Sequence, residues 1–121
     1  MSSSRPSAHP DLDPEWELAA EEVRRRLDAG EDLLLVDCRT ELERELARID
    51  PSVHAPMDAL ADHVETLSAE NGRPIVVYCH HGVRSMRVTA ALRRLGLAPV
   101  HSLAGGIDRW STAVDPSVPR Y

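Results

Sequence analysis

The hydrophobic positions of this chain fall into short unbroken runs separated by helical stripes. Leu33-Leu34-Leu35-Val36 and Ile75-Val76-Val77-Tyr78 are continuous apolar runs, the pattern of strands covered on both faces. Pro99-Val100-His101-Ser102-Leu103 reads as a further strand. Between the runs the period changes. Ala20, Val23 and Leu27 share one helical face, with Glu21 and Glu22 early, Arg24 to Arg26 late and Gly30 as the stop, the sense a helix dipole favours. Leu42 and Leu46 predict a short surface helix within the charge-rich Thr40–Ala47 stretch, and Leu60, Val64 and Leu67 mark another helical face. Val88, Ala91, Leu92 and Leu95 predict a longer helix from Ser85 that ends at Gly96, with Arg93 and Arg94 in its last turn. Asn71-Gly72-Arg73-Pro74 is a turn by its dipeptide chemistry, and Gly105-Gly106 turns into a short helix whose Ile107 and Trp110 pack on the sheet.

Composition narrows the reading. With 121 residues, 42% of them apolar, the chain supports one ordinary domain with its own core. No apolar stretch is long enough to span a bilayer, and no secretory signal pattern opens the sequence, so a cytoplasmic protein is expected, without membrane association. A net charge of -6 argues against nucleic acid as a partner. Two cysteines, Cys38 and Cys79, are too few for a disulfide scaffold. Residues 1–14 are Ser-, Pro- and Asp-rich and are expected to be a flexible leader, while 114–121 form a proline-rich tail unsuited to a helix or a central strand.

The candidate chemistry gathers where the run Ile75–Tyr78 stops. Cys79-His80-His81-Gly82-Val83-Arg84-Ser85 places a cysteine at the carboxyl end of a strand, in a loop that leads straight into a helix N-terminus. Open α/β sheets bind ligands there, and unpaired backbone N–H groups attract anions. A helix N-terminus and a nearby cation such as Arg84 lower a thiol pKa from about 8.5 to roughly 3.5–7.5. A buried, inert cysteine is the blander reading, opposed by the polar residues that follow it. Asp37 and Arg39 close the run at Leu33–Val36, where they serve better as loop anchors than as a catalytic pair. Cys38 between them reads as core filler, with a resolving thiol for Cys79 as the alternative. Adjacent histidines do not readily face one ion, so neither a metal nor another cofactor is expected.

Three segments, Cys79–Ser85, Leu35-Val36-Asp37-Cys38-Arg39 and Leu103-Ala104-Gly105-Gly106-Ile107-Asp108-Arg109-Trp110, together resemble the rhodanese family of sulfurtransferases. The resemblance implies a mostly parallel five-stranded sheet flanked by helices on both faces, over a domain at 15–113, with Trp16-Glu17-Leu18 as a first edge strand. It also implies that Cys79 is the catalytic residue and carries a persulfide sulfur, while His80, His81, Gly82, Val83, Arg84 and Ser85 bind the substrate. The partners it implies are thiosulfate or another sulfane-sulfur donor, and a thiol, cyanide or a sulfur-carrier protein as acceptor. Residues 49–56 depart from the family pattern, which weakens the case for the short strand it implies near Val53 to Ala55, and the loop around Asp50 is expected to be reshaped. Val114–Tyr121 resembles the closing segment of rhodanese domains fused to adenylyltransferases. The alternatives are a cysteine-dependent phosphatase or arsenate reductase, and a non-catalytic binding module. The spacing Cys79-x4-Arg84 is one residue shorter than the Cys-x5-Arg of those phosphatases, a loop better suited to one sulfur than to a tetrahedral oxyanion.

Overall fold

The two unbroken apolar runs lie side by side at the centre of a five-stranded sheet. In the computed structural model, which describes residues 12–69 and 72–121, the strands are β1 (Glu17–Leu18), β2 (Leu34–Asp37), β3 (Val53–His54), β4 (Ile75–Tyr78) and β5 (Val100–Leu103). Their order is β1-β5-β4-β2-β3 and every pairing is parallel, with Leu34 opposite Ile75 and Asp37 opposite Tyr78. The expected α/β architecture is therefore present. All residues of β2 and β4 are buried because helices cover both faces.

Alternation along these strands sorts the side chains into two cores. Leu35, Val76 and Tyr78 pack with α1 (Ala20–Asp28) and α5 (Gly106–Ala113), through Val23, Ile107 and Trp110. Leu34, Val36, Cys38, Ile75, Val77 and Cys79 face the opposite way, against α3 (Val64–Ser68) and α4 (Val83–Arg94). The two cysteines thus share a face. The short α2 (Glu41–Leu46) buries none of its residues and is held by a capping box, in which Thr40 Oγ1 accepts from the Glu43 amide and Glu43 Oε1 from the Thr40 amide.

Several local expectations shift. The stripe of Leu60, Val64 and Leu67 is not one helix but a 3-10 segment, Met57–Asp62, followed by α3, with the backbone leaving helical values at Ala59. Leu60 and Val64 still pack against the same core, so the apolar spacing survives the break. The helix expected from Ser85 begins at Val83, because Gly82 takes a left-handed φ of +105° and completes the turn early. A short strand does form at Val53–His54, pairing with β2.

Both chain ends also gain definition. Residues 1–11 of the expected leader lie outside the described residues, whereas the Asp13 carbonyl accepts from the Trp16 and Glu17 amides and opens a turn into β1. The proline-rich tail folds back along α5: Val118 is buried in the α1/α5 core, Ser111 Oγ donates to its carbonyl at 2.6 Å, and Arg120 pairs with Asp108 at 2.9 Å.

Candidate active site

Cys79 is the first residue beyond β4, and the chain turns around its sulfur. The amides of Gly82 and Ser85 donate to Sγ at 3.1 and 3.3 Å. Ser85 Oγ lies 3.4 Å from the same sulfur and 2.7 Å from Ser102 Oγ of β5, so a hydroxyl can donate to the sulfur once it ionises. The loop is clamped from below by α5. The amides of Ile107 and Asp108 donate to the carbonyls of Cys79 and His80 at 2.8 and 3.1 Å, and a Cβ at Gly106 would collide with both carbonyls. That close approach is the reason the turn into α5 must be glycine.

These contacts set the charge on the sulfur. The Cys79 thiol is lowered from its usual value near 9 to about 5. Its hydrogen bond with the Cys38 thiol is the largest cause; burial opposes the shift, and Ser85 and the two amides reinforce it. The same hydrogen bond, together with burial, pushes the Cys38 thiol far up, so Cys38 keeps its proton and donates it. At neutral pH the pair is one thiolate beside one thiol, and Cys79 is only 1% exposed.

The other residues expected to bind substrate are placed less uniformly. Gly82 and Ser85 touch the sulfur directly. His80 is stacked between His81 and Tyr121, each ring 4.0 Å away, and its Nε2 is buried without a partner among the described residues. His81 is exposed, with Nδ1 4.0 Å from Asp108, and Val83 is 67% exposed at the rim. Arg84 turns to α2, where its guanidinium makes two contacts with Glu43 at 2.7 and 2.9 Å. Its charge is therefore largely paired off before it reaches the sulfur.

Two further residues complete this rim. Glu43, held below the ordinary carboxylate range chiefly by Arg84, also accepts from Tyr121 Oη at 2.8 Å. Tyr121 Oη accepts in turn from Arg39 at 2.9 Å, so the end of the tail links α2, the buried Arg39 and the cysteine loop. Sequence reasoning passed over both. The Thr40-x-x-Glu43 capping-box spacing was the available signal for Glu43, and nothing local marks Tyr121.

Asp37 and Arg39 form a buried network of their own. Arg39 donates twice to the Asp37 carboxylate, at 2.9 and 2.8 Å, Arg44 donates at 3.0 Å and Tyr78 Oη at 3.1 Å. Burial would raise the Asp37 pKa, but the two guanidiniums hold it below its ordinary value. Arg39 continues to the carbonyls of Glu43 and Ala47, and its own carbonyl meets His54 Nε2 at 2.7 Å. Saturated in this way, Asp37 has no oxygen free to act as a base.

The profile of the rhodanese-like domain family matches residues 19–113 of this chain. A sulfurtransferase of Allochromatium vinosum is 34% identical over 95 residues, covering 78% of this chain and 87% of that protein. The adenylyltransferase and sulfurtransferase MOCS3-2 of Zea mays is 32% identical over 109 residues, covering 86% of this chain; the chain spans only 23% of that relative's length. Among solved structures, a thiosulfate sulfurtransferase from Pseudomonas aeruginosa superposes with a TM-score of 0.77 and 28% identity, over 88% of this chain and 20% of that one. The match spans β2, the Cys79 loop and the Gly105-Gly106 clamp together, and with it this chain belongs to the rhodanese-like domain family.

Proposed function

We propose that this chain is a sulfurtransferase whose residues 15–113 form the catalytic unit and whose Cys79 carries sulfane sulfur as a persulfide. The Cys79 thiolate attacks the outer sulfur of thiosulfate, an S–S bond forms and sulfite leaves with the electron pair of the bond that breaks. A thiophilic acceptor then attacks the terminal sulfur, and Cys79 departs as the thiolate. Both steps begin or end with an anion on the same loop. The observation that carries the reading is the set of donors on Sγ: the amides of Gly82 and Ser85 and the Ser85 hydroxyl. Fixed dipoles of this kind stabilise a thiolate or a persulfide without proton transfer.

Phosphate-ester hydrolysis is less well served. Asp37 is fully engaged by guanidiniums and Glu43 by Arg84, so neither carboxyl is free to protonate a leaving alkoxide. The match to an adenylyltransferase and sulfurtransferase, and the likeness of the 114–121 tail to such fusions, support a sulfur-carrier protein as acceptor.

Intact-mass measurement before and after thiosulfate tests the proposal. The wild-type chain should gain one sulfur atom, lost again on adding cyanide, and release one equivalent of sulfite. Cys79→Ser should gain nothing. A wild-type chain that never acquires cyanide-labile sulfur would overturn the assignment, as would a Cys79→Ser protein that still does.

A further inference from the structure

Cys38 takes no part in the transfer just described, yet it is the buried group nearest in character and position to Cys79. Its amide donates to the Tyr78 carbonyl at 3.1 Å, and its carbonyl accepts from the Met57 amide at 3.0 Å, which pins its backbone on both sides. The register of β2 on β4 pairs Asp37 with Tyr78, and the next row outward is Cys38 beside Cys79. Both side chains point to the α4 face of the sheet. Neighbouring strands lie about 4.8 Å apart, which falls inside the Cα separation of about 4.4–6.8 Å that a disulfide requires. Both sulfurs also lie in one buried cluster on that face, close enough for each thiol to shift the other's titration.

A packing role alone would be met by the aliphatic residues that fill the rest of this core. Here the row instead holds two sulfurs with divided roles, one ionised on its amides and one protonated and screened from solvent. We propose that Cys38 is the resolving thiol of Cys79, and that the pair reduces a small hydroperoxide by two electrons, closing a disulfide between the ends of β2 and β4. This activity goes beyond sulfur transfer and needs only a nucleophilic Cys79.

The chemistry balances in two steps. The Cys79 thiolate attacks one oxygen of the O–O bond; an S–O bond forms, the O–O bond breaks, and the departing alkoxide or hydroxide takes a proton from water. Cys79 is now a sulfenic acid, oxidised by two electrons, and the peroxide has become an alcohol or water. The Cys38 sulfur then attacks Cys79 Sγ. The S–S bond forms, the S–O bond breaks, and hydroxide leaves with the Cys38 proton as water. An external low-molecular-weight dithiol returns both cysteines to the reduced state and is itself oxidised to a disulfide. Both cysteines are buried, so hydrogen peroxide should react well and a bulky aromatic hydroperoxide poorly.

The test treats the reduced full chain with one equivalent of hydrogen peroxide, without added thiol, and follows it by thiol-blocking, intact mass and peptide mapping. The expected wild-type product has lost two hydrogens, resists alkylation at both cysteines, yields a linked Cys38–Cys79 peptide pair within one molecule, and returns to the starting mass with dithiothreitol. Cys38→Ser should instead accumulate a dimedone-reactive sulfenic acid at Cys79 and then gain two or three oxygens irreversibly. Mapping of the wild-type protein stands on its own if the variant folds poorly. Wild-type protein that gains oxygens without a cross-link, links only between molecules, or leaves both thiols alkylatable would overturn the proposal. Thiosulfate loading of an untreated, reduced aliquot reads sulfur transfer separately, so either proposal can fail without the other.

Discussion

Two neighbouring rows of the sheet each hold a buried anion, and they hold it by opposite means. In the row Asp37–Tyr78 the carboxylate is clasped by the guanidiniums of Arg39 and Arg44 and by a phenol. One row further out, on the other face, the Cys79 sulfur meets two backbone amides, a hydroxyl and a thiol, with no cation in direct contact among the described residues. The difference fits the proposed function. Full charges around Asp37 lock one protonation state and one geometry, because removing either partner strands the other in the core. Dipoles and neutral donors lower the cost of a thiolate while leaving it free to give up its charge to an incoming sulfur. Under the proposed sulfur transfer, the first row stays fixed and the second reacts.

The largest effects should separate the rows. Asp37→Asn leaves Arg39 buried without its counter-charge and should destabilise the fold by about 3–5 kcal/mol, read from chemical denaturation. Cys79→Ser should abolish sulfur transfer, and near pH 5, where the thiolate adds little, it should cost little stability. An Asp37→Asn protein of wild-type stability would show that the carboxylate is dispensable and the comparison mistaken.

Next comes the clamp under the loop. Gly106→Ala drives a methyl group into the carbonyls of Cys79 and His80 at a residue with φ +61°, and should cost about 1–3 kcal/mol while lowering turnover. If the amide cradle is what sets the thiol, the midpoint of alkylation against pH should rise in the same variant.

The pH dependence sharpens the account of the sulfur row. With a folded pKa of about 5 against an ordinary value near 9, the unfolded chain binds more protons at Cys79 between these values. Cys79 therefore adds stability as pH rises through this window and loses it as pH falls toward 5. Above 9 the raised Cys38 pKa acts in the opposite direction, since the folded state keeps a proton that the unfolded chain releases. Denaturation midpoints across this range should climb in the wild type and flatten in Cys79→Ser. Ser85→Ala removes one donor and should move the alkylation midpoint up by roughly one pKa unit; an unmoved midpoint would mean that the amides and Cys38 suffice.

The smallest effect is expected at the rim, where Arg84 is already paired. Arg84→Ala leaves the Glu43 carboxylate unbalanced beside the loop and should raise the KM for thiosulfate several-fold while changing kcat little. Combining it with Glu43→Gln, which can keep the capping box of α2, should restore most of that KM. A double variant no better than Arg84→Ala would show that the guanidinium contacts the donor itself.

The placement of Cys79 between a strand and a helix was legible in the chain, as were the layers that surround it. Those features are local: a continuous apolar run, a glycine that turns the backbone, a helical stripe after it and a glycine pair that can approach carbonyls. Composition and periodicity encode them within a few residues of one another. The start of α4 was misjudged by two residues because Gly82 enters a left-handed conformation that its neighbours do not announce. The long-range pairings were not legible at all. Arg84 meets Glu43 from 41 residues away, Tyr121 meets Arg39 from 82 away, and Cys38 meets Cys79 only because β2 is registered on β4 with Asp37 opposite Tyr78. The sequence by itself determined which cysteine would stand at the end of a strand and which elements would present it. Only the tertiary structure decided which charges reach that sulfur and which thiol lies beside it, because strand order and register are properties of the whole packed sheet, not of any segment in it.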